Sequence, residues 1–134
     1  MKKTIYIAGP IFTKSQRDYL ENIDKICTNI GIGTYLPHRD GGIKNKNNSD
    51  EVFQKDIKNL NKSNLVVVCL TMPEIDAGTA FEIGFAYSKD IKIIGVLDDI
   101  RYFNKEQLNL MIEKSVKIVK NLEDLKKELI KYVN

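Results

Sequence analysis

Short apolar runs alternate along the chain with longer segments in which apolar residues recur every three or four positions. The runs at 4–8, 33–36, 64–70, 92–96 and 117–119 predict strands, and the segments at 14–29, 49–61, 78–88, 104–112 and 121–132 predict helices. In the first helical segment Leu20, Ile23, Ile26, Cys27 and Ile30 fall on one stripe, which Gly31 brings to an end. Ser49 and Asp50 are favourable residues at the start of the second. The run Leu65-Val66-Val67-Val68-Cys69-Leu70 is apolar without interruption, as a strand covered on both faces must be, and is expected in the middle of the sheet. This alternation predicts an α/β fold of the three-layer flavodoxin-like or Rossmann-like kind, with a five-stranded, mostly parallel sheet flanked by helices. A single domain is expected over residues 1–134, a length that with 43% hydrophobic residues sustains one core. The polar, glycine-containing stretch 40–48 reads as a surface loop, and no internal repeat is found.

The 21 basic and 18 acidic residues nearly balance, and the lysines are spread rather than gathered into an arm, so a solvated surface is expected and no nucleic-acid polymer as partner. Cys27 and Cys69 are far apart, with no CxxC pair and no histidine beside either. They disfavour a metal site or a disulfide framework and fit a reducing, cytoplasmic setting. The opening Met1-Lys2-Lys3-Thr4 leads into an apolar run that meets Gly9-Pro10 too soon for a signal peptide. No apolar run reaches the length of a membrane span, so no membrane partner is expected.

Ligands of open α/β sheets bind beyond the carboxyl ends of the strands, which directs attention to the segments that follow them. The densest is Thr71 to Glu82. Gly78 would let the backbone approach a ligand, and Glu82 falls in the opening turns of the next helix, whose positive end favours an ionised carboxylate. Its neighbours Phe81, Ile83, Phe85, Ala86 and Tyr87 are apolar, so the carboxylate needs partners. Plainer readings stand beside these. Glu82 could merely complement the helix dipole, Asp76 could be a turn former, and Asp56, close to Lys55 and Lys58, could be a solvated residue.

Four stretches carry more than their single residues do. Ile5-Tyr6-Ile7-Ala8-Gly9-Pro10-Ile11-Phe12, Leu36-Pro37-His38-Arg39-Asp40-Gly41, the block from Asp76 to Tyr87 and Leu108-Asn109-Leu110-Met111 together resemble the nucleoside 2-deoxyribosyltransferase family, in order from residue 5 to about 111. The Asp-x-Gly-Thr-x-x-Glu-x-Gly block is the most specific of them. The resemblance implies that Glu82 is the nucleophile that carries a 2-deoxyribosyl group as an ester and that Tyr6 orients it. It further implies that Asp56 and Asp76 contact the base and help protonate it. Asn109 would reach a neighbouring subunit's sugar, with Met111 beside it. Gly9, Pro10, Phe12, His38, Arg39 and Gly78 complete the implied substrate-binding set. Nucleosides and free nucleobases are the implied partners, with no cofactor, no metal and a homo-oligomer built on dimers with shared sites.

The chemistry is coherent in itself, because breaking a glycosidic bond through an oxocarbenium-like state calls for one carboxylate facing the sugar and a protonated group meeting the leaving base. An ionised Glu82 with a partly protonated Asp76 or Asp56 would divide those roles. The close rival is a 2'-deoxynucleoside 5'-phosphate N-hydrolase, for which Arg17 and Arg39 could supply phosphate contacts and against which the charge of Asp76 argues. A non-enzymatic nucleotide-binding or signalling domain on the same fold is the rival from another class. Ala8-Gly9-Pro10 stands where such a domain would want an acidic pair or a Gly-x-Gly-x-x-Gly turn. His38 could be structural, Asn109 could be a polar residue on a surface helix, and Tyr35, Tyr87 and Tyr102 read as packing or rim residues.

Overall fold

The computed structural model describes residues 3–71 and 75–134. Met1, Lys2 and the stretch Met72-Pro73-Glu74 after the third strand lie outside them. Among the described residues the strands β1 (Thr4–Ala8), β2 (Gly33–Tyr35), β3 (Leu65–Cys69), β4 (Lys92–Val96) and β5 (Lys117–Val119) alternate with helices. These are α1 (Lys14–Asn29), α2 (Ser49–Lys62), α3 (Ala77–Ser88), α4 (Leu110–Ser115) and α5 (Leu122–Val133). The strands form one sheet in the order β2-β1-β3-β4-β5, and every pairing is parallel.

β3 lies at the centre, hydrogen-bonded to β1 and β4, and all five of its residues are buried. Its unbroken apolar run follows from being covered on both faces. β1 shows how the two faces are divided. Ile5 and Ile7 join Leu20, Ile23 and Cys27 of α1 and Leu125 and Leu129 of α5 in one core cluster. Tyr6 and Ala8 point the other way, into a second cluster with Leu60 of α2, Ile83 and Ala86 of α3 and Ile112 of α4. Tyr6 is thereby committed to the α2/α3 side of the sheet. Both cysteines are buried free thiols, and burial pushes Cys27 up to about 12 and Cys69 up to about 11, so they act as small hydrophobes. No helix among the described residues is long and apolar enough to cross a membrane.

The loop after β1 is fixed by a capping box at the start of α1. The Thr13 side chain accepts from the Gln16 backbone, and the Gln16 side chain accepts from the Phe12 and Thr13 backbone at 2.9 and 3.0 Å. Arg17 donates to the carbonyls of Ile11 and Phe12 at 2.8 and 3.3 Å, holding the same loop from below. Gly9 has φ +154°, and a Cβ there would fall 2.7 Å from Leu20 Cδ2, so only glycine lets the chain leave β1 over α1.

α2 begins at Ser49 as expected, and one other helix start differs from expectation. α2 is preceded by Asn48, which makes no side-chain cap bond, because its Oδ1 instead accepts from the Asn45 backbone at 2.7 Å and closes the preceding loop. The helix expected at 104–112 is absent as such: single 3-10 turns occupy Ile100–Tyr102 and Lys105–Gln107, and α4 begins only at Leu110. The cause is Asn109, whose Oδ1 accepts from the Met111 and Ile112 backbone at 2.9 and 3.3 Å and so starts a new helix.

Candidate active site

Parallel pairing of β1 with β2 sets Tyr6 opposite Tyr35. Residues so paired project from the same face, and the two rings stack with centroids 5.4 Å apart and planes 19° from parallel. Each phenol reaches a carboxylate from a different helix. The Tyr6 hydroxyl donates to Glu82 Oε2 of α3. The Tyr35 hydroxyl donates to Asp56 Oδ1 of α2 at 2.8 Å. Two tyrosine–carboxylate pairs therefore lie side by side on the α2/α3 face of the sheet.

Asp76 sits at the head of α3 as its N-cap. Its Oδ2 accepts from the Thr79 backbone at 3.2 Å and its Oδ1 from the Thr79 hydroxyl at 2.6 Å. The turn-forming reading of Asp76 is thus realised, while its charge still acts on Glu82. Gly78, exposed in the first turn, has Asp76 Oδ2 3.3 Å from where its Cβ would be.

Burial dominates the charge states here. It pushes Glu82 up to about 7, the Tyr6 hydrogen bond opposes it, and the nearby charges of Asp56 and Asp76 add to it. This corrects the expectation that the helix would hold Glu82 ionised. Glu82 is the sixth residue of α3, past the first turn where the dipole acts, and desolvation is the larger effect. Asp56 is also raised by burial, with the Tyr35 hydroxyl pulling the other way. Tyr6 is held far above its ordinary value, by burial first and then by Glu82, so it remains a hydrogen-bond donor.

The other implied residues are distributed unevenly. Pro10 is buried and Phe12 is 71% exposed on the loop after β1. His38 is held in the turn Pro37–Gly41, nine-tenths buried, with Nε2 3.7 Å from Glu21 Oε2 of α1. Arg39 is enclosed by acids: it donates to both oxygens of Asp40 at 2.8 and 2.9 Å and to Asp24 Oδ2 at 2.9 Å. Asn109 and Met111 line a different cavity, of about 930 Å³, with Ala80, Gly84 and Tyr87 of α3. Among the described residues Glu82 is not one of its walls.

Sequence reasoning missed Tyr35 and the role of Gly41. A Cβ on Gly41 would stand 2.5 Å from both Asp56 Oδ1 and the Tyr35 hydroxyl, so this glycine makes room for their hydrogen bond. A tyrosine one residue before Leu36-Pro37 looks like any strand tyrosine, since its partner lies 21 positions away.

Comparison with known proteins identifies chains similar to this one. The family described as nucleoside 2-deoxyribosyltransferase matches residues 5–122. A search of curated proteins finds no match. Among solved structures, a conserved protein from Enterococcus faecalis V583 is 28% identical with a TM-score of 0.78, the match covering 98% of this chain and 99% of that one. A 2-deoxyribosyltransferase from Bacillus psychrosaccharolyticus is 21% identical with a TM-score of 0.75, over 92% of this chain and 90% of that one. A CMP N-glycosidase from Clostridium botulinum is 18% identical with a TM-score of 0.68, over 97% and 99%. The last two show a shared fold. With the sequence matched over residues 5–122, this chain belongs to the nucleoside 2-deoxyribosyltransferase family.

Proposed function

We propose that the protein cleaves the N-glycosidic bond of 2'-deoxynucleosides through a glycosyl ester on Glu82 and passes the sugar to another base or to water. Family membership makes glycosyl transfer or N-glycosidic cleavage the class of reaction. The observation that carries the finer reading is a partly buried Glu82, bonded to Tyr6 and raised to about 7, beside a second partly buried acid, Asp56. Burial raises both, and two like charges side by side favour one proton held by the pair, so that one carboxylate can attack while the other carries a proton.

In the first step an oxygen of ionised Glu82 bonds to the anomeric carbon as the bond from that carbon to the base nitrogen breaks. The bonding pair leaves with the base, which takes a proton from Asp56, with Asp76 at the mouth of α3 as the other acid in reach of the same region. In the second step the nitrogen of an acceptor base, or a water, attacks the anomeric carbon, the ester bond breaks back to the Glu82 carboxylate, and the acid recovers its proton. The burial that raises Glu82 assists the first step. A desolvated carboxylate is costly as an anion and loses that cost when it becomes a neutral ester. Tyr6, kept protonated, holds the carboxylate and remains hydrogen-bonded to the ester.

Two features favour an unphosphorylated sugar over a 5'-monophosphate. Arg39 is already bound by Asp24 and Asp40, and Arg17 spends a nitrogen on the Ile11 and Phe12 carbonyls. The charges of ionised Glu82 and of Asp76 would also repel a phosphate dianion. We further propose that Asn109 acts in a neighbouring subunit's site within a dimer, a reading supported by its place in the wall of the α3/α4 cavity, whose described walls do not include Glu82. Its Oδ1 caps α4, which leaves the amide to donate to a sugar hydroxyl.

The test is incubation with a 2'-deoxynucleoside and a free acceptor base, with chromatography for new nucleoside and free sugar. Wild type should form one or both, and Glu82→Ala should reduce the rate by about three or more powers of ten, as expected for loss of a covalent nucleophile. A Glu82→Ala variant that kept a tenth of the activity would remove Glu82 from that role.

A further inference from the structure

The Tyr35–Asp56 bond is built with as much care as the Tyr6–Glu82 bond. Three separate elements meet at it. β2 supplies Tyr35, whose place opposite Tyr6 is set by strand register. α2 supplies Asp56, which accepts at 2.8 Å. The turn Pro37–Gly41 closes over the pair with the one residue that fits, since a Cβ at Gly41 would overlap both oxygens at 2.5 Å. Gly41 is buried and has no left-handed backbone to explain it, so the demand for glycine comes from this contact.

We propose, resting on the function set out above, that Tyr35 is a positioning residue that holds Asp56 as the acid for the departing base, with Gly41 providing the space for that bond. The titratable groups facing Asp56 are Tyr35 from β2, Tyr6 from β1 and Glu82 from α3. Asp40, paired with Arg39 in the turn, acts on Tyr35. No cation among these faces Asp56 directly, so the direction of its proton depends on burial and on the one hydroxyl that bonds it. The stack on Tyr6 fixes the plane of the Tyr35 ring and with it the line along which the hydroxyl meets Oδ1. Asp56 then has Oδ2 left to carry the proton toward the base.

Tyr35→Phe keeps the ring and its stack and removes only the hydroxyl. It should lower kcat about tenfold or more on 2'-deoxynucleosides whose base leaves neutral, the usual effect of losing a hydrogen bond to a charged group. On 7-methyl-2'-deoxyguanosine, whose cationic base leaves without being protonated, kcat should fall less than about twofold. The two apparent pKa values of the kcat/KM profile should also rise in sum, because that sum reflects full ionisation of the Glu82–Asp56 pair and the lost hydroxyl had stabilised the ionised state. Gly41→Ala, which crowds the same bond and leaves both partners in place, should give the same selective loss, and it decides the matter if Tyr35→Phe does not fold. Equal losses on both substrates, or no loss on either, would overturn the proposal while an active wild type leaves the broader reading standing. A wild type inert on both substrates would overturn that reading and this proposal with it.

Discussion

Replacing Glu82 by glutamine should make the protein more stable at neutral and alkaline pH while removing its activity. Glutamine has the same length, and its carbonyl can still accept the Tyr6 hydroxyl, so what changes is the charge. Raising a carboxyl from 4.5 to about 7 on folding corresponds to about 3 kcal/mol between its charged and neutral forms. Water reaching the partly buried group reduces the effect, to about 1–3 kcal/mol. The sign follows from linkage. Between the unfolded and folded values the native state binds more protons, so the contribution is fully present below 4.5 and is lost as pH rises through about 7. Urea unfolding of both proteins at pH 4.5 and pH 8 measures it. The curves should nearly coincide at the lower pH, and the glutamine variant should gain about 1–3 kcal/mol at pH 8. Asp56 titrates in both proteins, so the comparison isolates Glu82 and the coupling it imposes. Equal stabilities at pH 8, or a less stable variant, would show that the carboxylate is not held at a cost and would remove the argument that burial drives ester formation.

Tyr6→Phe removes the one hydroxyl that stabilises ionised Glu82, so the pH at which stability falls should move up by about one to two pH units in unfolding curves, the equivalent of a hydrogen bond to a charged group. An unmoved midpoint would mean that Tyr6 does not govern Glu82. For the shared site, inactive Glu82→Ala and Asn109→Asp, the latter keeping the α4 cap, can be unfolded together and refolded as a mixture. Activity should return to about a quarter of wild type, since half of random dimers are mixed and each holds one intact site; no recovery in confirmed mixed dimers would confine the site to one subunit.

Much of this was legible in the sequence, and the parts that were not share a physical cause. Periodicity separates β3 from the helices because covered strands and amphipathic helices leave different patterns, and both patterns are local. Asn109 misled the reading of 104–112 because a polar residue among Leu108, Leu110 and Ile112 fits a helix as well as it fits a cap. Side-chain competition with the backbone decides which, and that depends on geometry. For Glu82 both forces were visible, dipole and burial, but their balance rests on depth, and depth is a property of the packed Tyr6, Ile83 and Ala86 layer rather than of any one segment.

Tyr35 and Arg39 show the same limit from opposite sides. Tyr35 gains a chemical partner only through strand register and the approach of α2, two events that no pattern within 33–36 encodes. Arg39, which with Arg17 could supply phosphate contacts on sequence grounds, is met in the fold by Asp24 of α1 from 15 positions earlier, with Asp40 beside it. A 5'-phosphate would compete with two carboxylates for one guanidinium, exchanging formed charge-assisted hydrogen bonds for new ones beside two anions. The proposed preference for an unphosphorylated sugar therefore rests on what surrounds Arg39 as much as on Asp76, and under that proposal removing the arginine alone does not create phosphate selectivity, whereas freeing it from Asp24 and Asp40 is the change that would have to come first.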